Sequence, residues 1–204
     1  APARPACPAP AGRLAAATQA GWAQVGAPIA PSRVTLNYAR GIGLGGLLAA
    51  DPGTAGYWVA RTYGTTELGS VHVPAAADAH GFAAACVVVA RLRRPGRPAF
   101  ATVDGPRREI VDEVIEAARA LGVAVPLEMW TPDGDRLAPE DHLARVRRMA
   151  YHEEGSVESL AVDGRQLATM IDAAGPIIAW TEPARAFLRG IGRKSDRSRE
   201  ENAT

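Results

Sequence analysis

One strand–helix–strand segment in the middle of the chain constrains the fold more than any other feature. Ala99 to Val103 and Val123 to Trp130 are apolar runs typical of buried strands. Pro106 marks the start of a helix between them, and Gly122 marks its end. Because one helix with almost no linker joins the two strands, they are predicted to be parallel and connected by a right-handed crossover. The segment therefore indicates an α/β fold.

Further strands are predicted on both sides of this segment. The run from Arg33 to Ala39 is β-branched and alternating. Two alternating runs, at 57–63 and 67–73, flank the turn-forming residues 64–66, which is the pattern of a hairpin. With the apolar run from Pro176 to Trp180, they predict a layered α/β domain with a partly parallel sheet. Its predicted strands lie near residues 34–39, 57–63, 67–73, 99–103, 123–130 and 176–180.

Helices are predicted for much of the remaining chain. An alanine-rich helix spans about Leu14 to Val25, and Pro139 starts another helix. Ala75 to Leu92 is either a buried helix or a helix that ends in a strand through three consecutive valines, and periodicity leaves both alternatives open. Asp163 and Glu182 are the predicted starts of the last two helices.

Composition divides the chain into three predicted parts. Residues 1–12 are rich in proline and alanine and predict a flexible arm, and residues 13–190 predict a single α/β domain. The charged residues 191–204 predict a disordered tail. The first residue is not Met, which leaves open removal of Met, cleavage of a signal peptide, and excision from a longer parent chain.

The overall composition excludes several classes of protein. With 47% hydrophobic and 22% charged residues, the chain is too apolar for a disordered protein. No apolar run approaches the roughly 18 residues that cross a bilayer, so no membrane partner is expected. The net charge of +1 argues against wholesale electrostatic binding to nucleic acid. Cys7 and Cys86 are too few for a disulfide scaffold and predict free thiols in the reducing cytoplasm.

Arginine is abundant, but its abundance says little about function. Alanine, arginine, glycine and proline, which share GC-rich codons, supply about half of the chain, and Lys194 is its one lysine. This bias indicates a high-GC bacterial genome. The position of an arginine is therefore more informative than the number of arginines.

Carboxylates follow three of the predicted strands. Asp104 follows the first, Glu128, Asp133 and Asp135 lie at the end of the second, and Glu182 follows the third. Because ligands bind beyond the carboxyl ends of parallel strands, these side chains are expected to share one edge of the sheet. Clustered carboxylates suit a Mg²⁺ ion that holds a phosphate ester, and two close carboxylates also suit acid–base chemistry. The same residues fit helix caps and turns, so a purely structural role remains an alternative.

Basic residues next to the expected edge supply the complementary charge. Arg107 and Arg108 stand in the first turn of the helix after Asp104, where their guanidinium groups suit a phosphate. The sequence thus predicts a small α/β enzyme, a metal-dependent hydrolase or phosphotransfer enzyme, that acts on a nucleotide or nucleic-acid phosphate. Its predicted site has Asp104, Asp133 and Asp135 as catalytic residues, Asp104 and Asp133 as ligands of Mg²⁺, and Arg107, Arg108 and Glu128 as substrate contacts.

The alternative hypothesis is a binding module without chemistry. Arginine groups at 91–97, 107–108 and 145–148 would then meet nucleic acid or an acidic protein partner. Such binding is expected to weaken steeply with salt.

Two further patterns carry less weight. Gly41 to Gly46 has the G-x-G-x-x-G spacing of a dinucleotide-binding turn, but Pro52 leaves room for only a very short helix after it. The four histidines form no pair with the spacing of a zinc site.

Overall fold

The structure is a computed structural model that describes residues 9–65, 67–105, 109–152 and 155–163. Within them, helices and strands alternate in a layered α/β domain. The strands are β1 (Leu47–Ala50), β2 (Val71–His72), β3 (Ala99–Asp104), β4 (Leu127–Asp135) and β5 (Val157–Leu160). The helices are α1 (Ala9–Trp22), α2 (Pro31–Ile42), α3 (Thr54–Thr62), α4 (Phe82–Arg93), α5 (Glu109–Ala120) and α6 (Pro139–Tyr151).

The five strands form one parallel sheet in the order β2-β1-β3-β4-β5. The predicted strand–helix–strand segment is confirmed as β3, α5 and β4, and Ala101 pairs with Leu127 in its register. The order reverses direction between β1 and β3, because β2 lies on the outer side of β1 while β4 and β5 extend from β3. In sheets of this order, that reversal opens a crevice at the carboxyl ends of β1 and β3.

Helices cover both faces of the sheet, as the alternation of buried side chains in the strands requires. Leu48 and Ala50 face a core built with α2, α3 and α6, where Tyr38, Trp58 and Met149 are also buried. The strand residues that alternate with these, such as Leu47 and Ala49, face the opposite side of the sheet and a second core built with α4 and α5. Its buried members include Leu47, Ala49, Val87, Ala101 and Ile115.

Two predicted strands are helices. The strand predicted at 34–39 is part of α2, which has Pro31 in its first turn and buries Val34, Tyr38 and Ile42 at a spacing of four residues. Tertiary packing of this face outweighs the β propensity of its residues. The strand predicted at 57–63 lies in α3, so the predicted hairpin with 67–73 is also wrong.

Other boundaries differ less. Of the strand predicted at 67–73, only the short edge strand β2 forms, and β4 begins later than predicted but continues to Asp135. For residues 75–92, a buried helix and a helix ending in a strand were both left open. The structure has helix α4 here, and it contains all three valines. The strands β1 and β5, each of four residues, were not predicted.

Several predictions concern residues outside the described ranges. These are the strand at 176–180, the helices expected to begin at Asp163 and Glu182, the tail at 191–204, and most of the arm. Helix α1 begins at Ala9, within the segment predicted as an arm. Within the described residues, no helix combines the length and apolar character needed to cross a membrane.

Candidate functional site

The candidate site lies at the carboxyl edge of the sheet, where the strand order reverses between β1 and β3. Asp51 follows β1 directly, and Asp104 is the last residue of β3. Asp104 therefore lies at the edge of the sheet predicted from the sequence, whereas its neighbour Asp51 was not among the predicted site residues.

Asp104 binds the first turn of helix α3. Its carboxylate accepts hydrogen bonds from the backbone amides of Thr54 and Ala55, the latter at 2.9 Å. Gly53 precedes these amides with a φ of +127°, and a Cβ at this position would collide with the Asp104 carboxylate. Only glycine tolerates both the backbone angle and the close approach.

Asp51 does the same for helix α4. Its two carboxylate oxygens each accept a 2.7 Å hydrogen bond, from the backbone amides of Gly81 and Ala83. Carboxylates at helix N-termini are favourable because unpaired amides and the helix dipole present positive charge there. The two aspartates thus tie the strand ends to the helices that begin beside them.

Asp51 and Asp104 both line a cavity of about 310 Å³. Its lining includes Asp51, Gly53, His80, Asp104 and Gly105. Burial raises the pKa of Asp104, and the negative charge of Asp51 raises it further, while the bonds from Ala55 and Thr54 and the charge of His80 act in the opposite direction. The net shift is upward. A pair of carboxylates that share one cavity in this way favours a proton or a cation between them.

A second, larger cavity of about 490 Å³ lies on the other side of Asp104. Asp104 and Gly105 line both cavities. Thr131, with its hydroxyl, and Arg136 also line the larger one, next to the indole of Trp130. The cleft therefore combines the buried carboxylate of Asp51, the half-buried carboxylate of Asp104 and the exposed guanidinium of Arg136.

The other predicted site residues do not all gather in this cleft. Asp133 is exposed in β4, within the irregular stretch where the pairing with β5 shifts between Trp130 and Asp135, and it is not among the residues that line either cavity. Asp135 forms an ion pair with Arg145 at 2.8 Å. Arg107 and Arg108 lie outside the described residues.

Glu128 lies inside the core instead of at the end of a strand. Its side chain is fully buried, and its Oε2 accepts a 2.8 Å hydrogen bond from Arg145. Its Oε1 accepts one from the Tyr38 hydroxyl at 2.6 Å and lies 3.0 Å from Nε2 of His142. Burial alone raises the pKa of the Glu128 carboxyl, but the interactions with His142, Arg145 and Tyr38 outweigh burial and lower it.

The same hydrogen bonds orient His142. The amide nitrogen of Asn37 donates to the Pro139 carbonyl at 2.7 Å and lies 3.1 Å from Nδ1 of His142. An amide donor beside Nδ1 makes that atom the acceptor, so Nε2 carries the hydrogen that faces Glu128. This network links α2, α6 and β4, and its buried position favours a role in holding these elements together.

The described residues contain no group of three or more His, Cys, Asp or Glu side chains arranged to hold a metal ion. Mg²⁺ does not require such a group, because it keeps several waters and binds through one or two carboxylates. Asp51 and Asp104, which share a cavity, fit this requirement better than Asp104 and the exposed Asp133.

Sequence reasoning missed three residues of the cleft, namely Asp51, His80 and Arg136. Asp51 had a detectable signal, since it follows an apolar run and precedes Pro52 and Gly53. The sequence pattern was interpreted instead as a very short helix over 47–51 after the glycine-rich turn, whereas 47–50 forms β1. In the structure, Gly41 to Gly46 lies before β1 and not after a strand, so the position needed for a dinucleotide-binding turn is not met.

The chain matches no protein-family model, and no curated protein is significantly similar to it in sequence.

Proposed function

We propose that the protein is a small α/β enzyme that acts on a nucleotide or nucleic-acid phosphate in the cleft at the carboxyl edge of the sheet. The observation that carries this proposal is the position of Asp104, which lines both cavities of the cleft. The cleft also lies where the strand order reverses, which is the usual ligand position in sheets of this type.

The carboxylate pair suits a divalent cation. Asp51 and Asp104 both line the smaller cavity, and each carboxylate is held in place by hydrogen bonds from backbone amides. Mg²⁺ bound there would neutralise charge on a phosphate and polarise it toward attack by water or another acceptor. Burial is the main cause of the raised pKa of Asp104, and the negative charge of Asp51 adds to it, so a cation bound beside both carboxylates would lower this pKa.

The substrate phosphate is assigned to the larger cavity. The amides at the start of α3 already bind Asp104, so they are not available to a phosphate. Arg136 is exposed and lines this cavity together with Thr131, and a guanidinium with a neighbouring hydroxyl suits phosphate oxygens. Arg107 and Arg108 follow Gly105 in the chain, and their predicted phosphate contacts remain part of the proposal.

The proposal is tested with a panel of nucleoside mono-, di- and triphosphates and a single-stranded oligonucleotide, each incubated with the full chain and Mg²⁺. We expect phosphate release or transfer from at least one member. Asp104→Asn should lower kcat/KM by about a hundredfold, since it removes a carboxylate proposed to hold the Mg²⁺ that neutralises charge on the reacting phosphate.

Two comparisons separate this role from a loss of folding. Asp141→Asn changes an exposed aspartate of α6 and should leave the activity unchanged. Arg136→Ala should raise KM more than Arg147→Ala, a change at an exposed arginine of α6. If no panel member reacts, or if Asp104→Asn folds and is as active as the parent chain, the proposal is wrong.

A further inference from the structure

Helix α4 carries apolar side chains on both of its faces. Ala84 and Val87 are buried against the sheet, whereas Val89 and Leu92 are 57% and 53% exposed. A surface helix of a globular domain usually presents polar residues outward. The outward face of α4 therefore suits contact with another molecule.

This face borders a cavity of about 510 Å³ between α4 and the edge of the sheet. Phe82, Cys86 and Val89 line it from α4, and Gly69 and His72 line it from the segment of β2. We call this cavity the α4 groove. It shares no lining residue with the two cavities of the carboxyl-edge cleft.

Three arginines line one part of the α4 groove, namely Arg93, Arg94 and Arg97. Arg97 is held by the backbone carbonyls of Gly45 at 2.5 Å and Gly46 at 3.2 Å. Arg93 and Arg94 are exposed, and no carboxylate among the described residues forms an ion pair with either one. The groove thus offers two positive charges that have no ion-pair partner in the part of the chain that the structure describes, beside an apolar cavity.

Two exposed leucines lie in the loops that contact Arg97. Leu44 is 80% exposed and Leu68 is fully exposed. Leu44 precedes Gly45 and Leu68 precedes Gly69, and the Arg97 guanidinium donates hydrogen bonds to the backbone carbonyls of both glycines. The loops that carry the two leucines therefore meet at Arg97. Exposed apolar residues near a charged rim are typical of protein interaction sites.

We propose that the α4 groove binds a short acidic segment of another protein, with one apolar side chain in the cavity and carboxylates on Arg93 and Arg94. The basic rim favours an acidic segment by charge complementarity, and the apolar cavity favours an apolar side chain within that segment. A concave cavity accepts a single side chain, which a flat lipid surface does not supply. A nucleic acid would require a longer row of cations than these two residues provide.

The test is a selection of short random peptides displayed against the full chain, followed by affinity measurements with the enriched peptides. We expect enriched sequences to contain an apolar residue flanked by Asp or Glu. Val89→Glu, and the pair Arg93→Glu with Arg94→Glu, should each weaken binding by at least about tenfold, the loss expected for one anchor contact. Arg147→Glu, an exposed change on α6, should leave binding unchanged.

Four results would overturn the proposal. The first is that no peptide is enriched. The second is that the enriched peptides bind the folded Val89→Glu variant as tightly as the parent chain. The third is that a single-stranded oligonucleotide or anionic vesicles displace the peptide from the groove. The fourth is that the chain forms dimers that Val89→Glu dissociates, since a second copy would then occupy this face.

Discussion

At the scale of single residues, the cleft depends on a close contact between a glycine and a carboxylate. Gly53 has the positive φ that only glycine adopts easily, and it lies directly against Asp104. The contact allows Asp104 to reach the first amides of α3. A side chain at Gly53 would therefore disturb both the backbone and the carboxylate.

Gly53→Ala should lower the free energy of unfolding by about 1–3 kcal/mol, the usual range for strained backbone. It should also reduce the Mg²⁺ binding that we propose for this cleft, because Asp104 would be displaced. Chemical denaturation and isothermal titration calorimetry measure the two effects. Gly64→Ala is the matched control, since nothing lies within 4 Å of the added Cβ and φ is not positive there. Equal stability of the two variants would show that the close approach at Gly53 is unimportant.

At the scale of elements, the buried network around Glu128 joins two helices to a strand. Arg145 of α6 bonds Glu128 and Asp135 of β4, and Tyr38 of α2 bonds Glu128 from the other side. A buried carboxylate that loses its cation retains a large desolvation cost. The position of α6 against β4 therefore depends on Arg145.

Arg145→Met should destabilise the protein by about 3–5 kcal/mol, because it leaves the buried Glu128 charge without its cation. Arg148→Met removes a more exposed ion pair of the same helix, with Glu158 at 3.3 Å, and should cost about 0–1 kcal/mol. Both values follow from urea denaturation at neutral pH. Similar losses for the two variants would contradict the role given to the network.

Glu128 should also make stability depend on pH in the acid range. Its pKa is lower in the folded protein than in the unfolded chain, so its stabilisation is present above the unfolded value of about 4.3. The stabilisation is lost as the pH falls through the folded-state pKa. The free energy of unfolding of Glu128→Gln should therefore fall less steeply below pH of about 5 than that of the parent chain. Parallel curves for the two proteins would contradict this.

The elements also show what the sequence could and could not predict. The β3–α5–β4 unit was predictable because apolar runs, a proline and a glycine mark its boundaries locally. The segment at 34–39 was predicted as a strand because its residues favour β structure, but the buried face of α2 depends on contacts with α6 and the sheet. Such contacts join residues far apart in sequence, and no local pattern reports them.

At the scale of the whole molecule, the order of the strands brings the candidate site together. The sequence identified the edge of the sheet and Asp104, but it could not show that β1 lies next to β3. This pairing makes Asp51 the neighbour of Asp104 and leaves Asp133 outside both cavities. Glu128 was expected at the strand end, but β4 continues beyond it and its side chain is directed into the core.

The most direct test of the account is anomalous diffraction from crystals of the full chain soaked with Mn²⁺, a heavier substitute for Mg²⁺. The account predicts one strong peak in the cavity lined by Asp51 and Asp104, which disappears in Asp104→Asn crystals. No peak in this cavity, or a peak that persists in the Asp104→Asn variant, would contradict the proposed site.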